Sequence, residues 1–125
     1  MKKIVVMLLA ALLILSIFAT SCGGPCVMKL APIHDIDIWA DESLPPQYFL
    51  DVVSGEPSGC DKFDSYNVTR TDNTIRVEVF NLRCGTGCPA IYSYVEHTIP
   101  LGSDFVPGGN YTVMVNNVTE TFVAQ

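Results

Sequence analysis

Five cysteines and two histidines hold most of the reactive chemistry in this chain: Cys22, Cys26, Cys60, Cys84, Cys88, His34 and His97. Cysteines cross-link in an oxidising compartment; as thiolates they also hold zinc or copper. Cys84 and Cys88 enclose Gly85-Thr86-Gly87, one residue more than the Cys-x2-Cys pairs favoured by structural zinc and by redox sites. His34 lies among Asp35, Asp37, Asp41 and Glu42, a hard-ligand set if the side chains converge. Strand alternation sends His34 to one face and Asp35 and Asp37 to the other. The expectation is therefore a solvated acidic edge that discourages aggregation, not a metal site. His97 adjoins Glu96, with Ser93 and Asp104 as partners for a nucleophile relay. No Gly-x-Ser-x-Gly elbow, phosphate loop or dinucleotide fingerprint accompanies them, so the expectation is no enzymatic activity and no cofactor.

The elements that must position these residues read as strands. From residue 31 onward apolar and polar residues alternate with period two between clusters of turn formers. Strands are expected over 33–39, 47–53, 63–70, 74–82, 90–99, 111–115 and 118–123. Residues 54–59 and 85–89 read as loops. Asp72-Asn73 and Asn116-Asn117 suit tight hairpins, because both residue types tolerate left-handed backbone. No window after residue 22 has helical periodicity. About seven short strands in about 100 residues predict an all-β chain, an immunoglobulin-like β-sandwich. Trp39, the one tryptophan, is expected to plug its core, with an exposed ligand platform as the alternative.

Residues 1–21 belong to something else. Lys2 and Lys3 precede an uncharged run from Ile4 to Ala19, then Thr20, Ser21 and Cys22. A basic start, a short apolar run and small residues make an export signal. The run is short for a membrane span of about twenty residues. Ala19-Thr20-Ser21-Cys22 resembles the lipobox of prokaryotic lipoproteins, with Ala19 where leucine is usual. That resemblance implies cleavage after Ser21 and a diacylglyceryl thioether on Cys22. It also implies a lipid anchor in the cell membrane or outer membrane, facing the extracytoplasmic side. Residues 22–30 then form a lipidated tether and 31–125 the sandwich. Loss of Lys2 and Lys3 leaves five basic against 13 acidic residues, a net charge of −8. So acidic a chain is repelled by nucleic acid and by anionic lipid headgroups.

With Cys22 assigned to lipid, four cysteines remain and allow three pairings. The favoured one is Cys60–Cys88 with Cys26–Cys84; a four-thiolate metal site is the alternative. Pro107-Gly108-Gly109-Asn110-Tyr111 runs into Thr112-Val113-Met114-Val115. It resembles the start of a late strand in immunoglobulin-like domains, which implies that the Tyr111 hydroxyl ties back to the preceding loop as a tyrosine corner. Residues 54–60 and 99–105 are similar to segments of uncharacterised bacterial lipoprotein domains, a likeness over about 50–122 that implies a fold and no activity. Asn67, Asn110 and Asn117 head Asn-x-Thr triplets, meaningful only where N-glycosylation operates. The expected function is a non-catalytic binding module of the cell envelope. Its protein or glycan partner would meet loops 54–62 and 83–90. The alternatives are a protease inhibitor and an extracytoplasmic metal-binding protein.

Overall fold

The computed structural model describes residues 25–125. Eight strands follow in order: β1 (Cys26–Leu30), β2 (Ile33–Ala40), β3 (Tyr48–Glu56), β4 (Asp61–Thr71), β5 (Thr74–Cys84), β6 (Ser93–Gly102), β7 (Asn110–Val115) and β8 (Val118–Val123). They form a five-stranded sheet and a three-stranded sheet, the latter ordered β2-β3-β6. The two pack face to face as an all-β sandwich.

β5 organises the larger sheet. Ile75, Val77 and Val79 alternate inward and are buried, as their spacing dictates. β4 pairs with β5 along one whole edge. Two strands share the other edge end to end: β1 pairs antiparallel with Phe80–Cys84, and β7 pairs parallel with Thr74–Val77. The core between the sheets is Leu50, Val52 and Ile99 from one side and Ile75, Val77, Val79, Val113 and Val115 from the other.

Three expectations change. The sandwich has eight strands, not about seven, because residues 26–30 leave the expected tether to become β1. Every β1 residue is exposed, so no apolar alternation announces the strand; its pairing with β5 makes it. Second, β3 runs on through Ser54, Gly55 and Glu56, all buried, because their backbones ladder with Val95, Tyr94 and Ser93. The loop there shrinks to residues 57–60. Third, β6 starts at Ser93 and continues through Pro100, which is tolerated because β6 is an edge strand. Ile91 is left outside it and 61% exposed.

The turns follow local chemistry. Asp72 (φ 54°) and Asn116 (φ 50°) take the left-handed backbone of the β4–β5 and β7–β8 hairpins. Tyr111 is buried, and its hydroxyl accepts a 2.8 Å hydrogen bond from the backbone N–H of Val106, five residues upstream. Tyr111→Phe removes that bond and keeps the ring on Phe105 and Phe122. The expected cost is about 1–2 kcal/mol by urea denaturation; a loss below about 0.5 kcal/mol would deny the corner its role.

A candidate ligand-binding sheet face

The outer face of β2-β3-β6 is built in ladder rows. Trp39, Phe49 and Pro100 form the first, Asp37, Asp51 and Thr98 the second, and Asp35, Val53 and Glu96 the third. Gly55 and Tyr94 form the fourth. Trp39 stacks on Phe49 with ring centroids 4.5 Å apart. Its indole N–H donates to Asp51 Oδ2 (3.0 Å), and the Thr98 hydroxyl donates to Asp51 Oδ1 (2.8 Å). Asp51 is thus oriented by both neighbours. A shallow depression of about 260 Å³ crosses the middle rows, lined by Asp35, Asp37, Asp51, Glu96 and Thr98 among others.

Trp39 is therefore not the core plug. It is 39% exposed, while Ile36 and Ile38 take the inward positions of β2. His34 also departs from simple alternation. Ile33 pairs with Ser54 and Asp35 with Val53, so His34 is the extra residue of a β-bulge. A bulge places two successive side chains on one side of the strand. His34 thereby joins Asp35 and Asp37 on the outer face. Its ring lies edge-on to Tyr94 and Tyr92 and hydrogen-bonds the Tyr92 hydroxyl. Gly55 lies beneath them: a Cβ there would overlap the Tyr92 hydroxyl and lie 2.8 Å from His34 Nε2, so these side-chain ends would have to move aside.

The other sequence candidates fall elsewhere. Asp41 organises the loop after β2, accepting hydrogen bonds from Ser43 and from the backbone N–H of Gln47 (2.9 Å). The Ser43 side chain, then Gln47, holds its carboxyl below the ordinary aspartate range. Glu42 is exposed beside it. His97 points inward, opposite to Glu96, against Phe63. Its polar partner is neither Ser93 nor Asp104 but Ser54, whose Oγ lies 3.1 Å from Nε2. Burial lowers the His97 pKa, and the Glu56 carboxylate opposes that shift. Ser54 is completely buried, so this pair cannot present a nucleophile to a substrate. Cys26 is bonded to Cys84 and Cys60 to Cys88, which leaves none of the four as a thiolate for metal. Cys22 lies outside the described residues.

The loop end at 54–62 and 83–90 is bridged by Cys60–Cys88; its first arm is partly built into the fold, while residues 85–87, 89 and 90 are exposed. Glu56 and Asp61 are buried; Glu56 accepts from the Phe63 N–H (2.7 Å) and Asp61 from the Ser58 hydroxyl (2.6 Å). Asn81, also buried, donates to the Gly55 carbonyl across the sheets (2.8 Å). Gly59 packs on Pro89 and donates to its carbonyl. Substitutions at Ser54, Glu56 or Asp61 would therefore disturb the fold, contrary to the expectation of a free loop.

A family model described as the ORF11 beta-sandwich domain matches residues 51–124, more than half of the chain. The chain belongs to the ORF11 beta-sandwich domain family. Its curated relatives include the "Uncharacterized 10.2 kDa protein in HgiCIIM 5'region" of Herpetosiphon aurantiacus, 30% identical over 89 residues, covering 70% of this chain and 94% of that protein. The "Uncharacterized 10.2 kDa protein in HgiBIM 5'region" of the same organism is 32% identical over 79 residues, covering 62% and 95% respectively. No solved structure matches the chain. The family match begins at Asp51, so it takes in that carboxylate, Tyr94, Glu96 and Thr98 of the outer face and leaves out β2 with Trp39, Asp35 and Asp37.

Proposed function

We propose that this ORF11 beta-sandwich protein is exported, anchored through lipid on Cys22, and acts as a non-catalytic binding module on the extracytoplasmic side of the membrane. The observation that carries the location is the pair of disulfides, which belong to oxidising compartments. The basic, apolar and small-residue leader ending at Cys22 supports the anchor. Two acyl chains at about 0.8 kcal/mol per buried methylene hold a domain firmly to a bilayer.

The binding reading is supported by the exposed aromatic residues Trp39, Tyr92 and Tyr94 on the outer face of β2-β3-β6, which the protein's own core does not use. Rigid sheet faces present such residues at little entropic cost. The proposed recognition surface is this face; in the bridged loops Glu56 and Asp61 are committed to internal hydrogen bonds, while residues 85–87, 89 and 90 are exposed.

Metabolic labelling with palmitate tests the anchor. The wild type should label and partition with membranes; Cys22→Ser should do neither. Unlabelled wild-type protein, or undiminished labelling of Cys22→Ser, refutes the anchoring.

A further inference from the structure

We infer that the outer face of the three-stranded sheet docks an extended, lysine- or arginine-rich protein segment. This deepens the binding-module reading and rests on it. Its first support is a segregation of charge. Lys29, Lys62, Arg70, Arg76 and Arg83 are all the lysines and arginines of the described residues, and every one lies in β1, β4 or β5 of the larger sheet. β2, β3 and β6 contain none, while their outer face carries Asp35, Asp37, Asp51 and Glu96. Among the described residues no ion pair reaches these four carboxylates, and Asp37 lies directly opposite Asp51. Like charges in facing positions are destabilising, a cost that a cationic partner would remove.

The second support is aromatic. Trp39 on Phe49 closes one end of the face, and Tyr94 with Tyr92 closes the other. Both ends offer ring faces to ammonium or guanidinium groups, and the carboxylates between them offer charge-assisted hydrogen bonds. Four ladder rows span roughly 20 Å, the length of about six extended residues. Nucleic acid and anionic lipid are repelled by this field. Among the described residues no three His, Cys, Asp or Glu side chains are grouped to hold a metal ion. Charge complementarity therefore selects a basic peptide.

The test measures binding of fluorescein-labelled hexaarginine to the whole protein by anisotropy, beside hexaglutamate and a neutral hexasaccharide. Saturable hexaarginine binding is expected, weakening as salt rises. Asp35→Asn with Asp37→Asn should weaken it about tenfold or more, at a melting temperature equal to or above wild type. The charge-matched pair Glu78→Gln with Glu120→Gln, on the other sheet, should change it less than about twofold. Trp39→Ala should also weaken it, with hexaglutamate unbound throughout. Equal losses in the two double variants would mean diffuse attraction and overturn the proposal, as would binding of the hexasaccharide alone. Crosslinking in envelopes separates this from the parent reading. A partner captured equally by wild type and by the Asp35→Asn/Asp37→Asn variant overturns the face and keeps the binding module; no peptide binding and no captured partner overturn both.

Discussion

Replacing Cys26 and Cys84 together by serine is expected to cost about 4 kcal/mol, the loop-closure entropy of a bridge between residues this far apart in sequence. The two are 58 positions apart and face each other across the β1–β5 ladder. β1 is the element most dependent on a covalent tie, because all five of its side chains are exposed and it buries no apolar face of its own. Only Ala31, immediately after it, reaches the core. The loss should therefore be local before it is global. Hydrogen exchange at Val27–Leu30 should accelerate by orders of magnitude, while Ile75–Val79 remain protected up to the reduced global stability. The analogous replacement of Cys60 and Cys88 closes a shorter loop, with a separation of 28, and should cost somewhat less. A β1 that stays protected after the first double replacement would show that the ladder alone holds it.

Asn116→Ala is expected to destabilise by about 2–5 kcal/mol, the largest effect for any single turn residue. Asn116 directly follows β7, at the point on the shared edge of β5 where both β7 and β1 end and backbone pairing must break. Its Oδ1 accepts from the Val79 N–H (2.9 Å), and its Nδ2 donates to the carbonyls of Ala31 (2.7 Å) and Val79 (3.1 Å). Its own N–H donates to Val77 O (3.0 Å). The side-chain amide thus replaces the missing length of strand. Alanine would orphan the buried Val79 N–H and the Ala31 carbonyl, and a Cβ without a polar group fits poorly at φ 50°. Asn116→Asp separates the two halves of this role. It keeps the acceptor but turns a second oxygen toward two carbonyls, so protonation is favoured in the folded state. The folded carboxyl pKa then lies above the unfolded value, and the deficit of the aspartate variant should shrink as pH falls through it. A deficit independent of pH in urea melts would contradict this geometry.

The family match covers residues 51–124, so β1, β2 and the start of β3 lie before it. Yet β1 carries one half of a disulfide and β2 carries Trp39, Asp35 and Asp37. The binding properties proposed for the outer face therefore depend on a segment that the family description does not include.

Much of the sandwich follows from short-range pattern. Ile75, Val77 and Val79 bury because alternate residues of a strand share a face, and Asp72 and Asn116 turn the chain because they accept positive φ. Tyr111 finds Val106 only five residues away, so its motif is contained in one stretch of sequence. The leader expected up to Cys22 likewise rests on composition alone and lies outside the described residues.

Pairing between distant segments decided the remainder. β1 has no buried pattern to read; it is a strand because β5 offers half an edge that β7 does not fill. Ser54, Gly55 and Glu56 have the composition of a turn, but β6 supplies ladder partners about 40 residues later. The bulge at His34 depends on how β2 fits against β3 and moves His34 to the acidic face, where alternation alone would hide it. The face itself spans three strands from separate regions of the chain. Each contributes an ordinary alternation of exposed residues, and only their registration brings Trp39, Asp51, Glu96 and Tyr94 onto one surface. Side-chain period is a local property of the backbone, whereas register and edge occupancy are settled by which strands compete for the same hydrogen-bonding groups.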